Sequence, residues 1–169
     1  HEPYRRQRQM CIRDRTMNGS WGYSVKDQNY KTGNALIQYL VRTAGKGANL
    51  LLNVGPQANG EIPEAATARM KAIGEWLNTY GETIYGTTAG DIPEHSWGVT
   101  TRRGDKLYVH ILDLEDQALF IPLAGKKVKK AISFKDKSPV RFTKTKTGVT
   151  LELPQVPDET DYVVELTTD

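Results

Sequence analysis

Hydrophobic positions along the chain change period part of the way through. Leu36, Ile37, Leu40, Val41 and Ala44 recur at helical spacing and stop at Gly45-Lys-Gly47, where a glycine can take the left-handed conformation that ends a helix. Leu50-Leu-Leu52 with Val54 is a short apolar run without alternation, closed by Gly55-Pro56, as expected of a parallel strand covered on both faces. Pro63 suits the first turn of a second helix, with Ala66, Met70, Ile73, Trp76, Leu77 and Tyr80 on one face before Gly81. Helix, buried strand, helix reads as a piece of an α/β unit.

After Gly90 the period becomes two. Leu107, Val109 and Ile111 alternate with polar residues, as do Val149, Leu151 and Leu153, and then Tyr162, Val164 and Leu166, which predicts half-buried antiparallel strands. Shorter strands are predicted at 97–101, 118–123, 128–134 and 140–143, with Arg103-Gly-Asp105 and Thr147-Gly148 as hairpin turns that tolerate positive φ. Short strands at this spacing predict a β-sandwich over residues 91–169, entered through Asp91-Ile-Pro-Glu94. The fold class is therefore α/β followed by all-β. A single buried parallel strand needs neighbours on both edges, so residues 16–90 read as the C-terminal part of a larger (β/α) unit.

Composition changes the picture mainly at the N-terminus. Residues 1–15 are polar and basic with no period, and Met10-Cys-Ile-Arg-Asp-Arg15 looks like a translated sequencing-adapter scar, so this stretch is set aside as a scar or a disordered tail. Its five Arg against Glu2 and Asp14 account for the whole excess of 23 basic over 20 acidic residues, and the remaining body is neutral. That removes the electrostatic footprint of a nucleic-acid or membrane-surface partner. Cys11, the only cysteine, lies in the same stretch, which leaves the body neither disulfide nor thiolate metal site. No apolar run approaches the ~20 residues of a membrane span. Nothing in the pattern specifies an oligomeric state.

Three segments carry more than periodicity: Thr16-Met-Asn-Gly-Ser-Trp-Gly-Tyr23, Asn49-Leu-Leu-Leu-Asn-Val-Gly-Pro56 and Gly81-Glu-Thr-Ile-Tyr85. In this order, with a sandwich behind them, they resemble the last part of the α-L-fucosidases of glycoside hydrolase family 29. The resemblance implies the end of a (β/α)8-type catalytic barrel followed by a C-terminal β-sandwich, with Leu50 to Val54 as the last barrel strand and the stretch around Met17 to Tyr23 as the preceding strand and its loop. It implies a retaining exo-hydrolase that removes terminal α-L-fucose from oligosaccharides or glycoconjugates, works without a cofactor, and is periplasmic or secreted.

Retention needs two carboxyl groups about 5 Å apart, a nucleophile and an acid/base. By the resemblance the nucleophilic aspartate lies on a mid-barrel strand upstream of every residue here, and Ile12-Arg-Asp-Arg15 stands where many bacterial members place the acid/base glutamate. The chain as written is thus expected to hold no catalytic residue and to be inactive. Three residues are candidates for the sugar-binding wall. Trp21 matches a position whose ring packs on the C6 methyl of fucose, with membership of the core as its other reading. Asn53, at the C-terminal end of the last strand, could hydrogen-bond in the site or cap a turn. Tyr23 stands beside them, with a structural role as the alternative.

The other candidates have plain explanations. Glu61 and Glu64 suit the positive end of the second helix, and Asp27 and Glu82 read as loop and helix-end charges. His95 and His110 have no carboxylate at metal-site spacing and read as solvated or packed histidines. No catalytic triad, phosphate loop or metal signature is present in the sequence. A free-standing carbohydrate-binding sandwich would need an exposed aromatic platform, for which Trp97 and Tyr108 are the candidates. A nucleic-acid binder would rest on the basic N-terminus and Lys126-Lys-Val-Lys-Lys130, a run that reads better as a solvated face.

Overall fold

The computed structural model describes residues 12–123 and 125–169. The stretch set aside on sequence grounds therefore falls outside the described residues up to Cys11, but not beyond it. β1 (Ile12–Thr16) runs parallel to β2 (Asn49–Asn53), with Ile12 opposite Asn49 and Thr16 opposite Asn53. This corrects two expectations: Ile12 to Arg15 belong to the fold, and the strand beside β2 ends at Thr16, so that Met17 to Tyr23 form only the loop. The reason is that β2 must pair its backbone amides and carbonyls, and a ladder is built from backbone groups whatever side chains its partner carries.

α1 (Gly33–Gly45) starts at Thr32, whose hydroxyl accepts from Ala35 N at 3.2 Å. It ends as its sequence predicts, with Gly47 at φ +68° donating to Ala44 O and Ala48 donating to Thr43 O. α2 (Glu64–Tyr80) follows and runs into a 3₁₀ turn at Gly81–Thr83. The helices cover one face of the β1–β2 pair, where Met17, Leu36 and Ala66 are buried with Leu52, Val54 and Ile73 against them. The opposite face is open, and Leu51 is exposed rather than enclosed. Met70, expected on the apolar face of α2, is also exposed.

The remaining strands are β3 (Thr88–Ala89), β4 (Gly98–Arg103), β5 (Lys106–Ile111), β6 (Ala118–Pro122), β7 (Val128–Ser133), β8 (Arg141–Lys144), β9 (Gly148–Glu152) and β10 (Tyr162–Thr168). They form an antiparallel five-stranded sheet in the order β3-β4-β5-β10-β7 and a three-stranded sheet in the order β6-β9-β8. Leu107, Val109, Ile111, Val164 and Leu166 from the first sheet meet Leu119, Ile121, Val149 and Leu151 from the second in the sandwich core. The alternate residues of the five-stranded sheet are buried too. Ile37 and Val41 of α1 pack on Val99, and Tyr80 of α2 packs with Tyr108, Phe134 and Val163. β4, β5 and β10 are therefore covered on both faces, not half-buried, because the helices of the α/β part lie on the outer face of the larger sheet.

Gly104 takes φ +62° in the β4–β5 hairpin as its turn requires. Gly148 does not adopt positive φ; it is needed because a Cβ there would collide with the carbonyl oxygen of Ile121 on the paired strand. Trp97 and Tyr108 are buried, so they offer no aromatic platform on the sandwich. Lys129 and Lys130 are exposed on β7, an edge strand, where lysine discourages pairing with another chain.

Candidate functional site

The loop from Met17 to Tyr30 begins where β1 stops, at the C-terminal end of the parallel pair, the end at which barrel enzymes assemble their sites. Met17 anchors it by burying its side chain between the helices. Lys31 closes it: its Nζ donates to Thr16 O at 2.9 Å and Asn18 O at 3.2 Å, while its backbone N–H donates to Met17 O at 2.8 Å. The Arg69 guanidinium lies over the Tyr30 ring at 5.3 Å and donates through Nε to Lys31 O at 2.8 Å. The entry and exit of the loop are thus fixed from α2.

Inside the loop Asp27 is the hub. Ser20 Oγ donates to its Oδ2 at 2.7 Å and Asn29 N donates to its Oδ1 at 3.3 Å, the second bond forming the two-residue Asx turn that an aspartate in a loop favours. The Ser20 hydroxyl, helped by the backbone amides of Asn29, Gly19 and Ser20, holds the carboxyl below its usual range against the opposing effect of burial. Asp27 therefore serves as a structural acceptor, as its reading as a loop charge predicts.

Trp21 and Tyr23 project from this loop with 57% and 40% of their surfaces exposed. Within this chain Trp21 is not part of a packed core. A cleft of about 290 Å³ opens beside Trp21, lined by Arg15, Thr16, Trp21, Lys31 and Tyr39. Asn53 lies next to Trp21 but presents its amide to the backbone: Nδ2 donates to Trp21 O at 2.6 Å. The structure thus brings two of the three binding candidates together through one hydrogen bond, with Tyr23 on the peptide that follows. Gly55 and Lys31, which complete the arrangement, were not among the binding candidates read from the sequence. Gly55-Pro56 was legible as the end of a strand, whereas the long reach of a lysine side chain back to β1 left no local signal.

The remaining acids are engaged elsewhere. Glu61 precedes α2 rather than opening it, and accepts from Asn59 Nδ2 at 2.9 Å. Glu82 accepts from Lys106 Nζ at 3.2 Å and Tyr108 OH at 3.1 Å, and these two bonds hold its carboxyl below the usual range. His95 is exposed and stacks on Trp97 at 5.5 Å. His110 is buried against the Asp161 carboxylate, which lies 51 residues away and carries no motif that marks it.

The family model for alpha-L-fucosidase matches residues 1–82. The alpha-L-fucosidase of Dictyostelium discoideum is 31% identical over 173 residues, covering 95% of this chain and 37% of that protein. Among solved structures, alpha-L-fucosidase isoenzyme 1 from Paenibacillus thiaminolyticus matches with a TM-score of 0.85 at 33% identity, over 94% of this chain and 39% of its own. A GH29 alpha-L-fucosidase from Bacteroides thetaiotaomicron, trapped as a covalent intermediate with 2-fluoro-fucosyl fluoride, also matches with a TM-score of 0.85, at 26% identity over 94% of this chain and 38% of its own. The family model ends at residue 82, before the sandwich, whereas the Dictyostelium relative and the two solved structures also take in the sandwich. The chain belongs to the α-L-fucosidases of glycoside hydrolase family 29, and spans 37% of the Dictyostelium relative's length.

Proposed function

We propose that the protein this chain represents is a retaining exo-α-L-fucosidase that removes terminal α-L-fucose from glycans or glycoconjugates, and that Trp21 belongs to its sugar-binding wall. The observation that carries the reading is the exposed Trp21 ring beside a cleft at the C-terminal end of parallel strands, in a chain whose fold matches fucosidase structures over 94% of its length. An aromatic face buries the methyl of a 6-deoxy sugar favourably, whereas a hydroxyl in the same place would lose hydrogen bonds to water. Tyr23 is read as a neighbouring wall residue. A periplasmic or secreted location belongs to the same reading.

The chain by itself is expected to turn over no fucoside. Retention requires a carboxylate nucleophile and a second carboxyl about 5 Å away. Two acids near the candidate wall in sequence, Asp27 and Glu61, both accept hydrogen bonds from their own loops. An assay of the purified chain on an activated aryl α-L-fucoside tests this. Turnover that disappears on substitution of a single Asp or Glu among residues 16–169 would place a catalytic carboxyl in this chain and overturn the expectation.

A further inference from the structure

Trp21 has little packing to hold its ring, since 57% of its surface is exposed. Its position must come from the backbone that carries it, and that backbone is pinned on both sides. Ahead of it, the Ser20 hydroxyl donates to Asp27 at 2.7 Å. Behind it, the Trp21 carbonyl accepts from Asn53 Nδ2 at 2.6 Å. The following peptide lies directly on Gly55, where a Cβ would stand 2.5 Å from Tyr23 N and 2.6 Å from Gly22 C. Only a residue without a side chain lets the end of β2 approach the loop so closely.

We propose that Asn53 is a positioning residue: with Gly55 and Asp27 it fixes the peptide on either side of Trp21, and so sets where the ring stands against a bound sugar. One of its amide hydrogens is committed to the Trp21 carbonyl, and through that bond Asn53 acts on Trp21. The functional weight of this inference rests on the reading of Trp21 as a sugar-facing residue, but the positioning itself does not. A binding wall needs its groups held to within a fraction of an ångström by neighbours that do not touch the ligand.

The test uses the chain as it stands. It contains three tryptophans, so 5-fluorotryptophan labelling gives three ¹⁹F lines, assignable by replacing each in turn with phenylalanine. Asn53→Ala removes the donor; Asn53→Asp keeps the shape and turns a carboxylate oxygen toward the Trp21 carbonyl. In both variants the Trp21 line is expected to shift or broaden while the Trp76 and Trp97 lines stay in place. An unmoved Trp21 line, or all three lines moving together, would overturn the proposal, the second outcome marking Asn53 as a general folding residue. A parallel titration of the unsubstituted chain with L-fucose separates the two readings. If the Trp21 line answers Asn53→Asp but not fucose, the positioning stands and the sugar contact falls.

Discussion

His110 Nδ1 lies 2.8 Å from Asp161 Oδ2, with both side chains fully enclosed. On the other side of the ring, Nε2 is 3.1 Å from Thr101 Oγ1, and the Thr101 hydroxyl donates to Thr83 O at 2.6 Å. A carbonyl oxygen only accepts, so the hydroxyl proton is committed to Thr83 and the Thr101 oxygen is left to accept from Nε2. His110 therefore faces the Thr101 oxygen as a donor through Nε2, while Nδ1 faces the Asp161 carboxylate. The row runs from the residue before β10, through β5 and β4, to the 3₁₀ turn after α2. It joins the sandwich to the helical layer by hydrogen bonds between buried groups.

Removing one member strands the others. Asp161→Ala should lower stability by about 3 to 5 kcal/mol, the usual cost of breaking a buried pair from one side. Asp161→Asn should lose less than half of that, because its amide N–H can donate to Nδ1 while Nε2 keeps its hydrogen. Urea unfolding of the two variants gives the comparison. Equal losses would show that the carboxylate contributes through its charge and not through this hydrogen-bonded row.

The helical layer meets the larger sheet most tightly at Gly45, where a Cβ would stand 2.5 Å from Val99 Cβ and 2.6 Å from its Cγ2. Alanine is the better helix former by roughly 0.5 to 1 kcal/mol, but overpacking costs about 1 to 3 kcal/mol, and here the clash is with a branched side chain on a central layer. Gly45→Ala should therefore destabilise, and the same change should cost little in a Val99→Gly background, where both Cβ and Cγ2 are gone. A double-mutant cycle reads this as a coupling of about 0.5 to 3 kcal/mol. Additive effects would mean that α1 adjusts its seat on β4 without resistance.

The segment between the helical layer and β4 is pinned by ion pairs, which makes its hold acid-sensitive. Glu94 accepts from Lys46 and from Arg42, and these bonds, in that order, keep its carboxyl below the usual 4.5. For Asp91, burial pushes upward, yet the bonds from Lys126 and Arg102 outweigh it and leave the group below 3.8. A carboxyl depressed in the folded state takes up its proton first in the unfolded chain. Its contribution is thus complete above 4.5 for Glu94 and above 3.8 for Asp91, and is lost as the pH falls through the lower folded values. Tm measured by calorimetry from pH 7 to pH 3 should drop below about pH 4.5, and Glu94→Gln with Asp91→Asn should flatten that drop while lowering Tm at pH 7. An unchanged slope in the double variant would assign the acid sensitivity to other groups.

Much of this architecture was legible because local patterning and tertiary burial agree. The helical spacing of Leu36, Ile37 and Val41 faces a real core, and the alternation of Leu107, Val109 and Ile111 marks the sandwich interior. Where they disagree the sequence misleads. Ile12 to Thr16 have no strand period because β1 is specified by the backbone demand of β2 rather than by its own side chains. Met70 is apolar and sits at helical spacing, yet α2 turns it to solvent. The three binding candidates were found through motif resemblance, not period, and spacing could not have shown that Asn53 reaches the Trp21 carbonyl across 32 residues. The His110–Asp161 pair is hidden for the same reason: its partners meet only after β5 and β10 have paired.

Stability should be uneven along the chain in a way the two sheets make measurable. β5 is bonded on one side to β4 and on the other to β10, which is bonded in turn to β7, and these central strands are covered on both faces. β1 and β2 are paired with each other, and Leu51 on their open face is 55% exposed. Opening β2 therefore uncovers little apolar surface beyond what is already in water, whereas opening β5 requires the helical layer and the sandwich core to part together. In native-state hydrogen exchange the amides of β5 and β10 should exchange only through global unfolding, and those of β2 through local opening. Their protection should differ by roughly 100-fold, equivalent to about 2.7 kcal/mol. Equal protection of β2 and β5 would mean that the parallel pair and the sandwich open as a single cooperative unit, with the helices α1 and α2 coupling them more strongly than the exposed face of β2 implies.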